Sequence, residues 1–288
     1  MFPAPFDYHR ATSLAHAQEL IAAHPDAKLL AGGHSLIPLL KLRLATPDTL
    51  IDIGRVPELA GITRDGGTLR VGALCTHASI AASADVRAAC PTLAEAASQV
   101  GDAQVRNRGT IGGNIAHADP ASDLPTVLVA HDAAIVVQGS GGERSVAASD
   151  FFQGLMATAL GEGEIVRAVH IAAVNAGTGT AYVKFVHPAS RYAVIGVAAV
   201  RQMSGGTCQA ARVAIGGLVP ASVRLPAVES VLAGQAITAE SASAAAAKAS
   251  GAFGDDVLGD VFASAEYRAA VAPVWIARAI TAAAARAR

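Results

Sequence analysis

Apolar residues in the first part of the chain alternate between helical and strand spacing. In residues 13–27 they recur every three or four positions, which predicts a helix that Ser13 or Thr12 can cap and that Pro25 ends. Continuous apolar runs predict strands, and the first of these strands is predicted to be buried. Later segments with helical spacing predict further helices. The predicted strands are residues 27–31, 48–54, 67–73 and 133–139, and the later predicted helices are residues 76–86, 90–100 and 124–132.

The last third of the chain has a different pattern. A segment rich in Gly, Thr and Ala near residue 177 predicts a domain boundary. Beyond it, residues 180–202 and 208–220 predict antiparallel strands. Residues 237–251 and 267–288 are rich in alanine and predict helices, which form either a packed layer or a face for a partner.

Composition narrows the functional classes. The 288 residues suffice for two or three domains, and 52% hydrophobic with 16% charged residues argues against disorder. A net charge of -1 gives no electrostatic basis for binding nucleic acid or an anionic membrane. No uncharged apolar run approaches the roughly 18 residues of a membrane-spanning helix, and no signal-peptide pattern is visible. Three widely separated cysteines indicate a reducing compartment, so we expect a cytoplasmic protein.

Two glycine pairs carry the candidate chemistry. Gly32-Gly33 follows a predicted strand and precedes Ser35, and Gly112-Gly113 is flanked by Thr110 and Asn114. Successive backbone N–H groups around such glycines can form a concave anion site. Two such sites suit the pyrophosphate of a dinucleotide, whereas for either pair alone the pattern favours a simple tight turn.

Other motifs of nucleotide, metal and hydrolase sites are absent from the sequence. It has no G-x-G-x-x-G after a strand and no Gly-Lys dipeptide, which argues against a Rossmann site and a P-loop. It has no C-x-x-C, H-E-x-x-H or G-x-S-x-G motif, so neither a metal site nor a nucleophile elbow is indicated.

The two glycine segments, "LLAGGHSLIPLLKLRLATPDTLIDI" and "TIGGNIAHADPASDLP", resemble those of the FAD-binding medium subunit of molybdenum hydroxylases. The resemblance is to the aerobic carbon monoxide dehydrogenase type within the xanthine dehydrogenase superfamily. "GALCTHASI", "GEGEIVRAV" and "YVKFVHPASRYAVIGVAA" follow in the order of that family. The resemblance implies an α+β fold. It begins with a two-part FAD-binding domain of PCMH type, at residues 1–57 and 58–176, and continues with a small antiparallel sheet and helices at residues 177–288.

The resemblance also assigns residues to non-covalently bound FAD. They are Leu29, Leu30, Ala31, Gly32, Gly33, His34, Ser35, Leu36, Val100, Gly101, Thr110, Ile111, Gly112, Gly113, Asn114, Asp123, Ile165, Lys184 and Tyr192. Tyr192 is either a contact of the isoalloxazine ring or a core tyrosine. Lys184 is interpreted as a cation near the anionic cofactor.

Several residues near the two segments have a second interpretation. His34 is either a covalent flavin anchor or a loop histidine bonded to the backbone, and the resemblance favours the latter. His117, Asp119 and Asp123 are either a metal cluster or part of a helix cap. Arg106, with its neighbours Asp102 and Arg108, either holds the second segment or lies on a solvated turn, and we interpret His77 as structural.

In the family that the chain resembles, substrate is oxidised at a molybdopterin cofactor in a large subunit, and electrons pass through [2Fe-2S] clusters in a small subunit. The sequence has no clustered cysteines for such clusters. The resemblance therefore implies both partners, as a dimer of heterotrimers, with this chain passing electrons through FAD to an external acceptor. The alternatives are a stand-alone FAD-dependent oxidase or dehydrogenase and a non-catalytic nucleotide-binding assembly protein.

Overall fold

A computed structural model describes residues 2–254 and 256–287. It contains three main sheets flanked by helices, so the predicted α+β fold is confirmed. The strands are β1 Asp7–Arg10, β2 Lys28–Leu30, β3 Thr49–Asp52, β4 Ile62–Asp65, β5 Thr68–Gly72, β6 Ala134–Gly139, β7 Gly142–Ala147, β8 Phe152–Gly154, β9 Ala157–Thr158, β10 Ile165–Ala172, β11 Thr178–Val186, β12 Ala193–Ser204, β13 Thr207–Gly216 and β14 Val223–Arg224.

Helices cover these sheets, and short 3-10 turns lie at Pro57–Leu59 and Ala247–Ala252. The helices are α1 Leu14–Ala23, α2 Leu36–Lys41, α3 His77–Ala82, α4 Ala84–Ala89, α5 Pro91–Gln99, α6 Ala103–Arg108, α7 Ile111–His117, α8 Asp123–Ala130, α9 Ala148–Phe151, α10 Pro226–Leu232, α11 Ala239–Ala246 and α12 Ala265–Arg286.

The first sheet is small and parallel, with strand order β1-β3-β2. Helix α1 packs beside it, and the hydroxyl of Ser13 accepts a hydrogen bond from the His16 amide, as a cap should. The prediction that β2 is buried is wrong: Lys28 is exposed, and Leu29 and Leu30 are only half-buried. Because β2 is an edge strand that opens onto a cleft, its apolar side chains are not fully covered.

The second sheet has five antiparallel strands in the order β4-β5-β10-β6-β7 and packs against α3, α5, α7 and α8. The apolar pattern did not predict β1 or β4. The single helix predicted at residues 76–86 is two helices, α3 and α4. The chain turns at Ser83, which has extended backbone angles and caps α4 through its hydroxyl.

The third sheet, β11-β12-β13-β14, is antiparallel. One face of β12 packs through Ala198 and Val200 against the core of the second sheet, and the other packs through Val197 and Ala199 against α10, α11 and α12. The alanine-rich helices therefore form the packed layer that the sequence allowed. Within the described residues, no helix is both long and apolar enough to cross a membrane.

Candidate cofactor-binding site

A cleft of about 570 Å³ lies between the first sheet, helices α3, α6 and α7, and the segment that leads into β12. Such a volume is typical of small-molecule sites. Most of the residues that the resemblance assigns to FAD line it. They are Leu29, Ala31, Gly32, Gly33, His34, Ser35, Leu36, Val100, Gly101, Thr110, Gly112, Gly113, Asn114, Asp123, Ile165 and Tyr192.

Three assigned residues do not line the cleft. Leu30 is half-buried on β2, Ile111 lies in the main hydrophobic core, and the Lys184 side chain is fully buried behind Asp123. Conversely, the sequence interpretation missed several residues of the cleft wall. Among them are His77, Ser122, Glu164, Ser190 and Arg191. For Ser190 and Arg191, the available signal was their position directly before Tyr192.

The first glycine pair lies in an open loop between β2 and α2. Among the described residues, the backbone N–H groups from Gly32 to Leu36 have no acceptor in the protein. Gly33 has φ +77°, a conformation that favours glycine. The His34 ring Nδ1 lies 3.2 Å from the Gly32 carbonyl oxygen, in agreement with the backbone-bonded interpretation of this histidine. This loop offers consecutive donors to an anion.

The two glycine segments touch each other at Gly32. A Cβ atom at this position would lie 2.1 Å from the carbonyl oxygen of Arg108 and 3.0 Å from the Cα of Gly109, the residue directly before the second segment. Glycine at position 32 therefore lets two backbone segments pack against each other. The requirement for glycine here does not come only from the close approach of a ligand.

The second glycine pair lies in the first turn of α7, not in an open loop. The Gly112 amide donates to the Ala73 carbonyl at 2.8 Å, and the Ile111 amide donates to the Cys75 carbonyl at 3.0 Å. The Gly113 amide donates to the Thr110 hydroxyl at 3.2 Å, which caps the helix. The prediction of a second anion site built from free N–H groups is therefore wrong, because these donors are bonded within the protein.

The second segment nevertheless presents polar atoms to the cleft. Gly113 is exposed, whereas Gly112 is buried. The amide nitrogen of Asn114 donates to the Ser122 hydroxyl at 2.5 Å, and its Oδ1 is buried without a partner. An unpaired acceptor in a cleft-lining residue fits a ligand that carries hydroxyl or N–H groups, as FAD does.

Asp123 lies at the base of the cleft in a buried network. Its carboxylate accepts hydrogen bonds from the Tyr182 hydroxyl at 2.6 Å and from the Lys184 ammonium at 2.9 Å. Burial raises the pKa of Asp123, and Lys184 opposes that rise. Lys184 also donates to the Gln99 carbonyl at 3.3 Å. Its direct partner is therefore Asp123, whose charge it neutralises at the base of the cleft.

His117, Asp119 and Asp123 do not form a metal cluster. Across residues 2–254 and 256–287, no three His, Cys, Asp or Glu side chains are placed to hold an ion. Asp119 instead accepts a hydrogen bond from the Ala121 amide at 2.9 Å. Asp123 is the first residue of α8, where its charge suits the helix N-terminus.

Two arginines hold the turn at residues 100–101, one wall of the cleft. The guanidinium of Arg106 donates to the Val100 and Gly101 carbonyls, both at 3.0 Å, so these bonds hold this turn and not the second segment itself. Arg191 donates to the Gly101 carbonyl at 2.9 Å from the opposite side. Tyr192 follows it and is 42% exposed, so the interpretation of Tyr192 as a core tyrosine is wrong. Its ring is open to a ligand in the cleft.

Comparison with known proteins agrees with this site. Residues 4–174 match the FAD binding domain in molybdopterin dehydrogenase, and residues 180–283 match the CO dehydrogenase flavoprotein C-terminal domain. The carbon monoxide dehydrogenase medium chain of Hydrogenophaga pseudoflava is 42% identical, with 99% of each chain covered. The 6-hydroxypseudooxynicotine dehydrogenase complex subunit alpha of Paenarthrobacter nicotinovorans is 37% identical, with 100% of this chain and 97% of the relative covered.

The fold agrees as closely as the sequence. The solved carbon monoxide dehydrogenase from Hydrogenophaga pseudoflava, in a form that lacks the Mo-pyranopterin moiety of the molybdenum cofactor, superimposes with a TM-score of 0.96. The identity is 42%, and all of both chains is covered. The chain therefore belongs to the family of FAD-binding medium subunits of molybdenum hydroxylases, the carbon monoxide dehydrogenase and xanthine dehydrogenase type, and is an oxidoreductase subunit with FAD as its cofactor.

Proposed function

We propose that this chain holds FAD non-covalently in the cleft and passes electrons through it from [2Fe-2S] clusters of a small partner subunit to an external acceptor. Substrate is oxidised at the molybdenum cofactor of a large partner subunit. We propose a complex of carbon monoxide dehydrogenase type, assembled as a dimer of heterotrimers in the cytoplasm. The buried cysteines Cys75, Cys90 and Cys208, all unpaired, fit a reducing compartment.

The observation that carries the proposal is the row of unpaired N–H groups from Gly32 to Leu36, on a loop that faces polar atoms across the cleft. We assign the pyrophosphate to these donors, since consecutive backbone N–H groups bind anions. Asn114 is assigned to a polar group of the cofactor. Tyr192 is assigned to the isoalloxazine ring, because its exposed ring can stack on a flavin.

FAD accepts electrons singly or in pairs, and can thereby join a one-electron centre to a two-electron acceptor. The side chains of this chain bind and orient it. Arg106 and Arg191 fix the turn at residues 100–101, and the Tyr182 hydroxyl and Lys184 fix Asp123. A buried Asp123 with a paired charge presents the cleft with a fixed carboxylate rather than a mobile one.

The three predicted domains remain a proposal, and the sheets support it. The strands of the first sheet lie within residues 1–57, those of the second within 58–176 and those of the third within 177–288. The cleft is lined from all three. A cofactor held there would be sensitive to how the three parts pack.

The type of complex is proposed from the relatives. The carbon monoxide dehydrogenase medium chain is somewhat more similar than the 6-hydroxypseudooxynicotine dehydrogenase subunit. Two carbon monoxide dehydrogenase medium chains, 42% and 38% identical, are among the full-length relatives, and we base the proposal of carbon monoxide as substrate on them. In our proposal the substrate pocket lies in another chain, so the test must include that chain.

The test is purification of the tagged chain from its native cells. We expect a large and a small subunit to co-elute, with an interface of roughly 2,000 Å² or more that survives size exclusion. Acid precipitation should release the flavin, and the complex should oxidise carbon monoxide whereas the isolated chain should not. Turnover by the isolated chain would support the stand-alone oxidase, and a flavin-free chain would support the assembly protein.

A further inference from the structure

His77 is the first residue of α3 and lines the cleft, although it was interpreted as structural. Only 3% of its surface is exposed. Its ring Nδ1 is buried and has no hydrogen-bond partner in the described part of the chain. Burial of a polar atom without a hydrogen-bond partner destabilises a protein, so a missing partner needs an explanation.

The imidazole is held firmly by the backbone of the second glycine segment. The His77 amide donates to the Gly109 carbonyl at 3.0 Å. A Cβ atom on Gly109 would lie 2.9 Å from both Cδ2 and Nε2 of the ring. The ring therefore packs directly against bare backbone, and its position at the wall of the cleft is set before any ligand binds.

A second buried histidine shows what a structural imidazole looks like here. His131 is also 3% exposed, but it does not line the cleft, and its Nε2 lies 3.6 Å from the Cys90 sulfur. His131 thus has a core partner for its Nε2. His77 differs in both respects, because it reaches the cleft wall and its Nδ1 is unpaired.

The surroundings of His77 favour a neutral ring. Burial lowers the pKa of His77 to about 4, and the electrostatic interactions with the nearby His34 and Arg106 act in the same direction. At neutral pH the imidazole therefore offers hydrogen bonding without charge. A neutral ring has one donor and one acceptor nitrogen, and FAD carries partners of both kinds.

We propose that His77 is a binding residue for the cofactor, with a ring nitrogen of the neutral imidazole hydrogen-bonded to FAD in the cleft. This rests on the proposed function, since it takes the cleft to be the FAD site. Because Nδ1 is enclosed by protein, Nε2 is the ring nitrogen that a ligand in the cleft can reach. The packing against Gly109 fixes the ring that carries it.

The test compares FAD dissociation constants of the full-length apo-chain and its variants. His77→Phe keeps the ring and removes hydrogen bonding, and we expect about tenfold weaker binding, the effect of one hydrogen bond. His77→Gln should recover most of the loss. The matched control, His131→Phe, should lower stability but leave the dissociation constant within about twofold.

A second measurement uses the wild-type chain and does not depend on a variant that folds. Addition of FAD should shift the ¹⁵N resonance of one His77 ring nitrogen and leave the His131 ring nitrogens unchanged. An unchanged His77 resonance, or equal affinity in His77→Phe, overturns the contact while the FAD assignment stands. Absence of FAD binding by the wild-type chain overturns both.

Discussion

The two walls of the cleft carry the same Gly-Gly pair but are built differently. The first wall, residues 28–45, is half-exposed, and the N–H groups from Gly32 to Leu36 have no acceptor among residues 2–254 and 256–287. The second wall, residues 73–123, is mostly bonded to itself: Gly112 is buried, and its amide donates to Ala73. A ligand can therefore take hydrogen bonds from the backbone of the first wall, whereas the second wall offers it mainly side chains.

The comparison shows that one dipeptide can serve two physical needs. Gly33 supplies a positive φ in an open loop, and Gly112 supplies room for Ala73 in the core. Substitutions in the second wall should therefore act first on stability. Substitutions in the first wall should act first on FAD binding.

The largest expected effect is from Lys184→Met, which removes the partner of Asp123 at the end of the second wall. It leaves Asp123 buried without its counter-ion, and breaking such a pair costs about 3–5 kcal/mol of unfolding free energy. Urea denaturation at neutral pH measures the loss. The double variant Asp123→Asn/Lys184→Met should recover much of it, and no recovery would show that the charge of Asp123 is not the cause.

The same variant predicts a pH dependence. Burial already raises the folded-state pKa of Asp123, and removal of Lys184 raises it further. A carboxyl whose folded pKa lies above the unfolded value of about 3.9 destabilises the fold increasingly as pH rises through that window. The gap between Lys184→Met and wild type should thus be smallest near pH 4 and grow towards neutral pH. A gap that does not change with pH would contradict the pairing.

The next effect separates the two glycine pairs directly. A Cβ atom on Gly112 would lie 2.5 Å from the Ala73 Cβ, so Gly112→Val should destabilise the protein by about 2–3 kcal/mol through overpacking. Gly141→Ala is the control, since nothing lies within 4 Å of its Cβ position, and it should stay within about 0.5 kcal/mol of wild type. Equal stability of the two variants would remove the packing role of Gly112.

A smaller change in stability is expected from Gly33→Ala in the first wall. The positive φ of +77° should cost about 1–2 kcal/mol with an L side chain. Its main effect should be on FAD, with at least tenfold weaker binding measured by flavin fluorescence, because the row of N–H groups moves. Gly113→Ala is the control, because Gly113 does not have a positive φ. Wild-type FAD affinity in Gly33→Ala would contradict the distinction between the two walls.

The smallest effect on stability is expected from Tyr192→Ala. The residue is 42% exposed and outside the core, so unfolding free energy should change by no more than about 0.5 kcal/mol. Loss of stacking, worth about 0.5–1.5 kcal/mol, should shift the flavin redox potential or fluorescence. Spectroelectrochemistry on the wild type and the variant measures this, and an identical potential would place the ring elsewhere.

The sequence predicted that two glycine pairs would face one cleft, and the resemblance supplied the cofactor. The sequence could not predict which glycine pair has backbone N–H groups that are free to bind a ligand. That depends on the carbonyls of Ala73 and Cys75, which belong to a different part of the chain. The sequence also did not predict that Lys184 pairs with Asp123. A lysine in a predicted strand does not show which residue of a neighbouring helix it contacts. The break at Ser83 was missed because helical spacing continues across it.

Residue-resolved amide hydrogen exchange, with and without FAD, tests the difference between the walls most directly. The account predicts fast exchange from Gly32 to Leu36 in the apo-chain and strong protection when FAD is bound. The amides from Ile111 to Gly113 should be protected already and change little, because they are bonded within the protein. Unchanged exchange from Gly32 to Leu36, with new protection confined to Ile111–Gly113, would contradict it.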